Sequence, residues 1–312
     1  MKILIDTDIG DDIDDALALF CAMQQGFEIV GVTTVFQNTC DRARQVKKLM
    51  SDFGHGYENV PVYAGCGTPI AQPPAERPHI PHYTPALEND AYAPNSTDPQ
   101  DAVDFIIQAC HTYGKDLTVV AIGPFTNLAR VIQKDPAALG LASKVAIMGG
   151  AYLKQYADWN VICDVESADL MFRSLDNLEC YGADVTHLLE ATDGFYRQTF
   201  DYAGDEPARQ YLSELCHLWR ADKPDAPLVL HDMLVIYSLA HPELCTVRQT
   251  NVAVLTEGYA RGITLNIDAY SKKHCNGDAY RDFNFDRKIT FAATVDKAAF
   301  DEYVLADFSR NG

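Results

Sequence analysis

Six aspartates crowd into ten positions near the start of the chain: Asp6, Asp8, Asp11, Asp12, Asp14 and Asp15. Like charges this close repel one another. The cluster therefore raises its own carboxylate pKa values and destabilises a fold unless a cation joins it. Its donors are all hard oxygens, with no His or Cys among them, which points to Ca²⁺ or Mg²⁺ rather than Zn²⁺. Aspartate also caps helix N-termini and meets the positive end of the helix dipole. Capping accounts for one or two of the six, and the bland alternative for the rest is a solvated acidic turn.

The flanks of the cluster indicate what holds it. The apolar run Ile3-Leu4-Ile5 precedes it, and Ala16, Leu17, Leu19, Phe20 and Met23 follow on one broad helical face. This is the pattern of strand, acidic loop and helix. Strands and helices continue to alternate. Strands are expected at 29–35, 60–64, 117–122, 145–148 and 179–185, with helices around Ala43–Met50 and at 101–111, 126–133 and 167–174. Residues 192–240 read as helical with a break at 223–227. Further strands follow at 247–255, 263–267 and 288–295, and then a last helix. The expected fold is α/β: a doubly wound, mainly parallel open sheet flanked by helices, with a helical segment and extra strands in the C-terminal third, as one domain over 1–312. Residues 66–99 carry eight of the fifteen prolines, among them Pro73 and Pro74, and read as a long loop of the kind that is usually functional or mobile.

Open parallel sheets bind ligands beyond the carboxyl ends of their strands. Asp8 and Asn38 follow the first two strands, and Gly123–Asn127 and Met148-Gly149-Gly150 follow two later ones. Asp184 and Thr186 close a further strand. Singly these are turns or caps; together they lie along one rim.

Composition narrows the class. The chain has 312 residues, is 47% hydrophobic and carries a net charge of −19. Nucleic acid and anionic membrane need basic surface, so neither is expected as a partner. None of the nine cysteines falls in a CxxC pair, which fits reduced thiols in a cytoplasmic protein. No signal peptide opens the chain and no apolar run reaches membrane-spanning length.

Several motifs in order carry a resemblance. Asp6–Ala18 is similar to DxDxG…DDAxA, and Thr33–Asn38 to TTxxGN with Gln37 at the glycine. Gly123–Ala129 reads GPFTNLA, and Met148–Gly150 reads MGG. Asp158–Glu166 is similar to EFNxxxDPEA, Gly182–His187 to GxDLTH, and His231-Asp232 to a late HD pair. Together they resemble the nucleoside hydrolase family of inosine–uridine preferring type, from residue 2 to about 240. The resemblance implies calcium-dependent hydrolysis of a ribonucleoside to ribose and free base. It implies Ca²⁺ held by Asp8, a carboxylate of the acidic loop, the Thr126 carbonyl and Asp232. Asp8 is then the base that activates water, and Asp14, Asn38, Met148, Asp158 and Asn160 meet the substrate. His231 either protonates the leaving base or caps a helix. Homodimers or homotetramers are implied.

The acidic loop is two residues longer than the usual form. A helix already running at residue 12 puts Asp12 and Asp15 on one face, both toward the metal. A helix starting at Asp14 gives Asp15 to the metal and Asp14 to a ribose hydroxyl, with Asp12 a possible extra ligand. The 66–99 loop offers Arg77–Tyr83 where the family has a HGxxGLG-like stretch. Two rivals remain. A magnesium-dependent phosphohydrolase with an aspartate nucleophile needs Thr or Val where Gly10 stands. A nucleoside-binding protein that does not cleave is the other. A non-enzymatic calcium-binding module of EF-hand type is weaker still, since its loop needs Gly and Glu where Asp11 and Leu17 stand.

Overall fold

The computed structural model describes residues 1–71, 78–267 and 288–309. Arg77, Pro73, Pro74 and Cys275 lie outside them. Among the described residues ten strands alternate with helices: β1 Lys2–Thr7, β2 Glu28–Thr34, β3 Val62–Ala64, β4 Leu117–Ala121, β5 Lys144–Met148, β6 Leu178–Tyr181, β7 Cys245–Thr250, β8 Val252–Val254, β9 Thr264–Asn266 and β10 Ile289–Val295. The main sheet has eight strands in the order β3-β2-β1-β4-β5-β6-β10-β7. All neighbours run parallel except the edge pair β10 and β7. A separate antiparallel pair joins β8 to β9.

Both faces of the sheet are covered, which explains why its strands read as unbroken apolar runs. Ile3 and Ile5 pack into one core, with the helices Asp14–Gln24, Thr39–Phe53, Pro207–Asp222, His231–Ala240 and Lys297–Ser309. Leu4, one residue out of phase, packs into the other, with the helices Pro99–Tyr113, Thr126–Lys134 and Val165–Ser174.

The chain runs outward from β1 through β2 and β3 on one side, and through β4, β5 and β6 on the other. The carboxyl ends of β1 and β4 therefore flank the point where the winding reverses, the place where open sheets bind ligands. Ile122 donates its amide to the Asp6 carbonyl at 2.8 Å across this seam. At Gly123 an added Cβ would lie 2.8 Å from the Asp8 amide nitrogen, so only glycine fits beside Asp8.

Two expectations are corrected. The strand expected at 179–185 ends at Tyr181, and Ala183–Thr186 forms a single helical turn. Gly182 is its N-cap, and the amides of Val185 and Thr186 both donate to the Gly182 carbonyl. The strand expected at 247–255 is two strands in two sheets, parted at the buried Asn251, whose carbonyl accepts from the Ile267 amide. Among the described residues of 66–99 the chain makes two 3-10 turns, Pro85–Glu88 and Asp90–Tyr92.

Candidate active site

The acidic loop joins β1 to a helix that begins at Asp14, with Ile13 as its N-cap. This is the second of the two registers. Asp14 and Asp15 therefore occupy the first turn, where exposed amides and the dipole favour negative charge. Both are buried, as are Asp6 and Asp8, so the loop is not a solvated turn.

Asp232 opens the helix His231–Ala240 and comes to the same place from a distance of more than two hundred residues. Its amide donates to Asp14 Oδ2 at 3.2 Å. One carboxylate oxygen each from Asp14, Asp15 and Asp232 lies within 4.8 Å of the others. Burial, and then the charges around it, raise all three: Asp14 to about 8, and Asp15 and Asp232 well above the usual carboxylate range. Three desolvated carboxylates at this spacing, with oxygen donors alone, fit a divalent cation. Asp15 is also held by the Thr7 hydroxyl.

Asp8 faces the same cavity. Burial pushes its carboxyl up to about 7 against the pull of Arg42, and nearby Asp11 adds to the rise. Arg42 is fully buried and braces the loop. It donates to the carbonyls of Asp8, Ile9 and Phe36 and pairs with Asp11 at 3.0 Å. Asp12 also faces the cavity and pairs there with Lys223 at 2.8 Å. Both aspartates of the lengthened segment are thus matched to a cation from another element. Asp6 lies beneath, accepting from Thr33 at 2.6 Å and Asn127 at 2.7 Å, and pins β1 to its neighbours.

A cavity of about 630 Å³ opens over these groups. Eight aspartates line it: Asp8, Asp11, Asp12, Asp14, Asp15, Asp158, Asp222 and Asp232. Lys223 is the sole lysine or arginine among its described lining residues. Met148 and Asn160 form one wall. The Asn160 amide donates to the carbonyls of Ile122 at 2.8 Å and Met148 at 3.1 Å. That consumes the NH₂ group and leaves the carbonyl oxygen for a ligand. Asp158 caps the turn Trp159–Ile162, and burial raises it to about 6.

His231 also lines the cavity, with Nδ1 at 2.6 Å from the Thr186 hydroxyl. Burial, and then the neighbouring His187, push it down to about 4, so the ring is neutral at pH 7.

Two expected residues lie behind the lining. Thr126 is buried, and its hydroxyl donates at 2.6 Å to Asp164, which fixes the turn after β4. Asn38 caps the helix Thr39–Phe53 and donates to the Pro78 carbonyl. Its neighbour Gln37 lines the cavity instead. Phe36 and Gln37 both hold left-handed backbone, φ 70° and 55°, fixed by bonds from their amides to the Cys66 and Gly67 carbonyls. Non-glycine residues in this region carry strain, which is concentrated at functional sites. Sequence reasoning missed Arg42, Tyr156, His187 and Lys223. Of these only His187 carried a signal, as the last residue of Gly182–His187.

Comparisons with known proteins agree with this geometry. The profile of the family described as "Inosine-uridine preferring nucleoside hydrolase" matches residues 3–302. Uridine nucleosidase 1 of Arabidopsis thaliana is 29% identical, over 98% of this chain and 92% of that protein. The inosine-uridine preferring nucleoside hydrolase of Leishmania major is 28% identical, over 92% and 94%. Among solved structures, a plant nucleoside hydrolase superposes with a TM-score of 0.82 at 24% identity, covering 99% of both chains. A purine-preferring ribonucleoside hydrolase from Gardnerella vaginalis gives 0.78 at 25% identity, covering 99% of this chain and 98% of that one. The chain belongs to the inosine–uridine preferring nucleoside hydrolase family, whose members are ribonucleoside N-glycosidases.

Proposed function

We propose that this chain hydrolyses the N-glycosidic bond of ribonucleosides with the help of Ca²⁺. The observation that carries the reading is the trio of buried carboxylates, Asp14, Asp15 and Asp232, at the base of a cavity walled by Asn160 and His231. Asp15 and Asp232 are assigned to the cation, with Asp8, the Thr126 carbonyl and Asp14 completing an oxygen shell and Asp12 as a reserve donor. When bound, the cation supplies positive charge that orients and acidifies the attacking water.

The remaining chemistry belongs to the chain. Asp8 accepts the water's proton, a task suited to a carboxyl raised to about 7. The departing C1′ becomes oxocarbenium-like, and the surrounding aspartates favour that positive charge. Asn160 accepts from a ribose hydroxyl through its free carbonyl oxygen. Asp14 and Asp158 hold others, Asn38 supports the wall through Gln37, and Met148 packs against the sugar. His231 hydrogen-bonds to the leaving base through its ring N–H, and the protonated ring is the form that completes departure of the base. Eight aspartates against one lysine repel phosphate, so the substrate is a nucleoside rather than a nucleotide.

The same reading places the protein in the cytoplasm, in nucleoside salvage, as a dimer or tetramer. The eight described cysteines are free thiols, in keeping with a reducing compartment. The test is release of base from inosine and uridine, and of p-nitrophenol from its riboside, with chelator and after calcium is restored. Turnover that stops with chelator and returns with calcium supports the reading. No cleavage of any of the three substrates at millimolar calcium sinks it.

A further inference from the structure

The cavity wall carries a second histidine with a tyrosine fixed to it, and any role for the pair in catalysis rests on the proposed hydrolase activity. His187 caps the single turn Ala183–Thr186, its amide donating to the Ala183 carbonyl at 3.0 Å, while its ring lines the cavity. Tyr156 Oη lies 3.0 Å from His187 Nδ1. The two rings sit 5.9 Å apart, and on its other side His187 meets His231 edge to face at 5.0 Å. Nδ1 is thus occupied, and Nε2 is the ring's remaining polar atom. Burial, with Asp184 and Asp158 nearby, raises the Tyr156 phenol further above its usual range, so it keeps its proton.

We propose that Tyr156 donates its O–H to His187 Nδ1, which sets the ring proton on Nε2, and that His187 Nε2–H donates to a ring nitrogen or carbonyl oxygen of the leaving nucleobase. The ribose hydroxyls face the carboxylate trio, so the base, attached at C1′, points to the wall where His187 and His231 stand. Water oxygen bonds to C1′ as the C1′–N bond breaks. The bond's electron pair goes to the base, one proton passes from water to Asp8, and one reaches the base from the protonated His231 ring, which returns to its neutral form. Negative charge builds on the base before that proton arrives. A donor aimed at it therefore strengthens in the transition state. His187 makes this contact through Nε2–H; Tyr156 is a positioning residue.

The test compares kcat/KM for uridine and inosine with that for p-nitrophenyl riboside, whose leaving group departs as a stable anion and offers no ring acceptor beside the bond. His187→Ala lowers the nucleoside-to-riboside ratio about 10- to 100-fold, the range for a hydrogen bond to a charged group, chiefly through kcat. His187→Gln, which keeps an N–H, recovers part of the loss. Tyr156→Phe moves the ratio in the same direction and adds nothing further in the His187→Ala background. An unchanged ratio in His187→Ala, or a Tyr156→Phe effect that is fully additive, overturns the inference. Wild-type protein that cleaves neither class of substrate removes the hydrolase reading and this inference with it. Wild-type cleavage of both beside an unchanged variant ratio removes this inference alone.

Discussion

At the scale of single residues, the question is which carboxyl takes the water's proton. Asp8 is the candidate because it follows β1 at the switch point, faces the cavity and is lifted by burial to about 7. Asp8→Asn keeps the shape and hydrogen-bonding capacity of the side chain but cannot accept the proton. It is expected to cost on the order of 10²–10⁴-fold in kcat with the fold intact by circular dichroism, and more if calcium affinity falls with it. Near-normal turnover assigns the base elsewhere. Asp8, His231 and Asp232 were legible because they stand in motifs at strand or helix ends. Arg42 was not. It sits in a helix rich in charged residues and reads as solvated, and its burial follows from loop carbonyls that only the folded chain brings to it. Tyr156 and Lys223 lie in irregular segments, where no periodicity distinguishes a lining side chain from an exposed one.

At the scale of elements, the parallel strands were readable because a strand covered on both faces is apolar throughout. The two misread strands failed for local reasons. Gly182 ends one by opening a helical turn, and the apolar run that continues through Val185 hides this. Asn251 divides the other, although the flanking alternation of residues persists. The acidic loop is where element and function meet. Because its helix starts at Asp14, Asp15 is carried inward toward Asp232, while Asp12 stays in the loop and is held by Lys223. Asp15→Asn is therefore expected to weaken calcium binding by more than the roughly 10- to 100-fold of an outer-shell change. Asp12→Asn is expected to keep calcium affinity while freeing Lys223. Isothermal titration of both variants decides the matter. A calcium-free Asp12→Asn protein beside a normal Asp15→Asn protein would reverse the assignment.

At the scale of the whole molecule, a net charge of −19 means that self-repulsion opposes the compact state everywhere, and any salt relieves some of it. Site binding must be separated from this screening, and pH does so. Burial raises the folded pKa of Asp8 to about 7 and of Asp14 to about 8, and lifts Asp15 and Asp232 well above an unfolded aspartate at roughly 4. Between those limits the chelated folded state binds more protons than the unfolded one. The contribution of these four groups to stability is therefore full below about pH 4 and is lost as pH rises through 7 and 8. On the proposed assignment calcium would bind the ionised carboxylates of the folded state alone, and would add ~2.7 kcal/mol at a hundred times its Kd. Its stabilisation is expected to be small at pH 5, where protons occupy the site, and larger at pH 8. Thermal unfolding at fixed ionic strength, with calcium against chelator at both pH values, measures the difference directly. A calcium-dependent shift of equal size at pH 5 and pH 8 would mean that calcium acts on the diffuse surface charge and not on the buried trio.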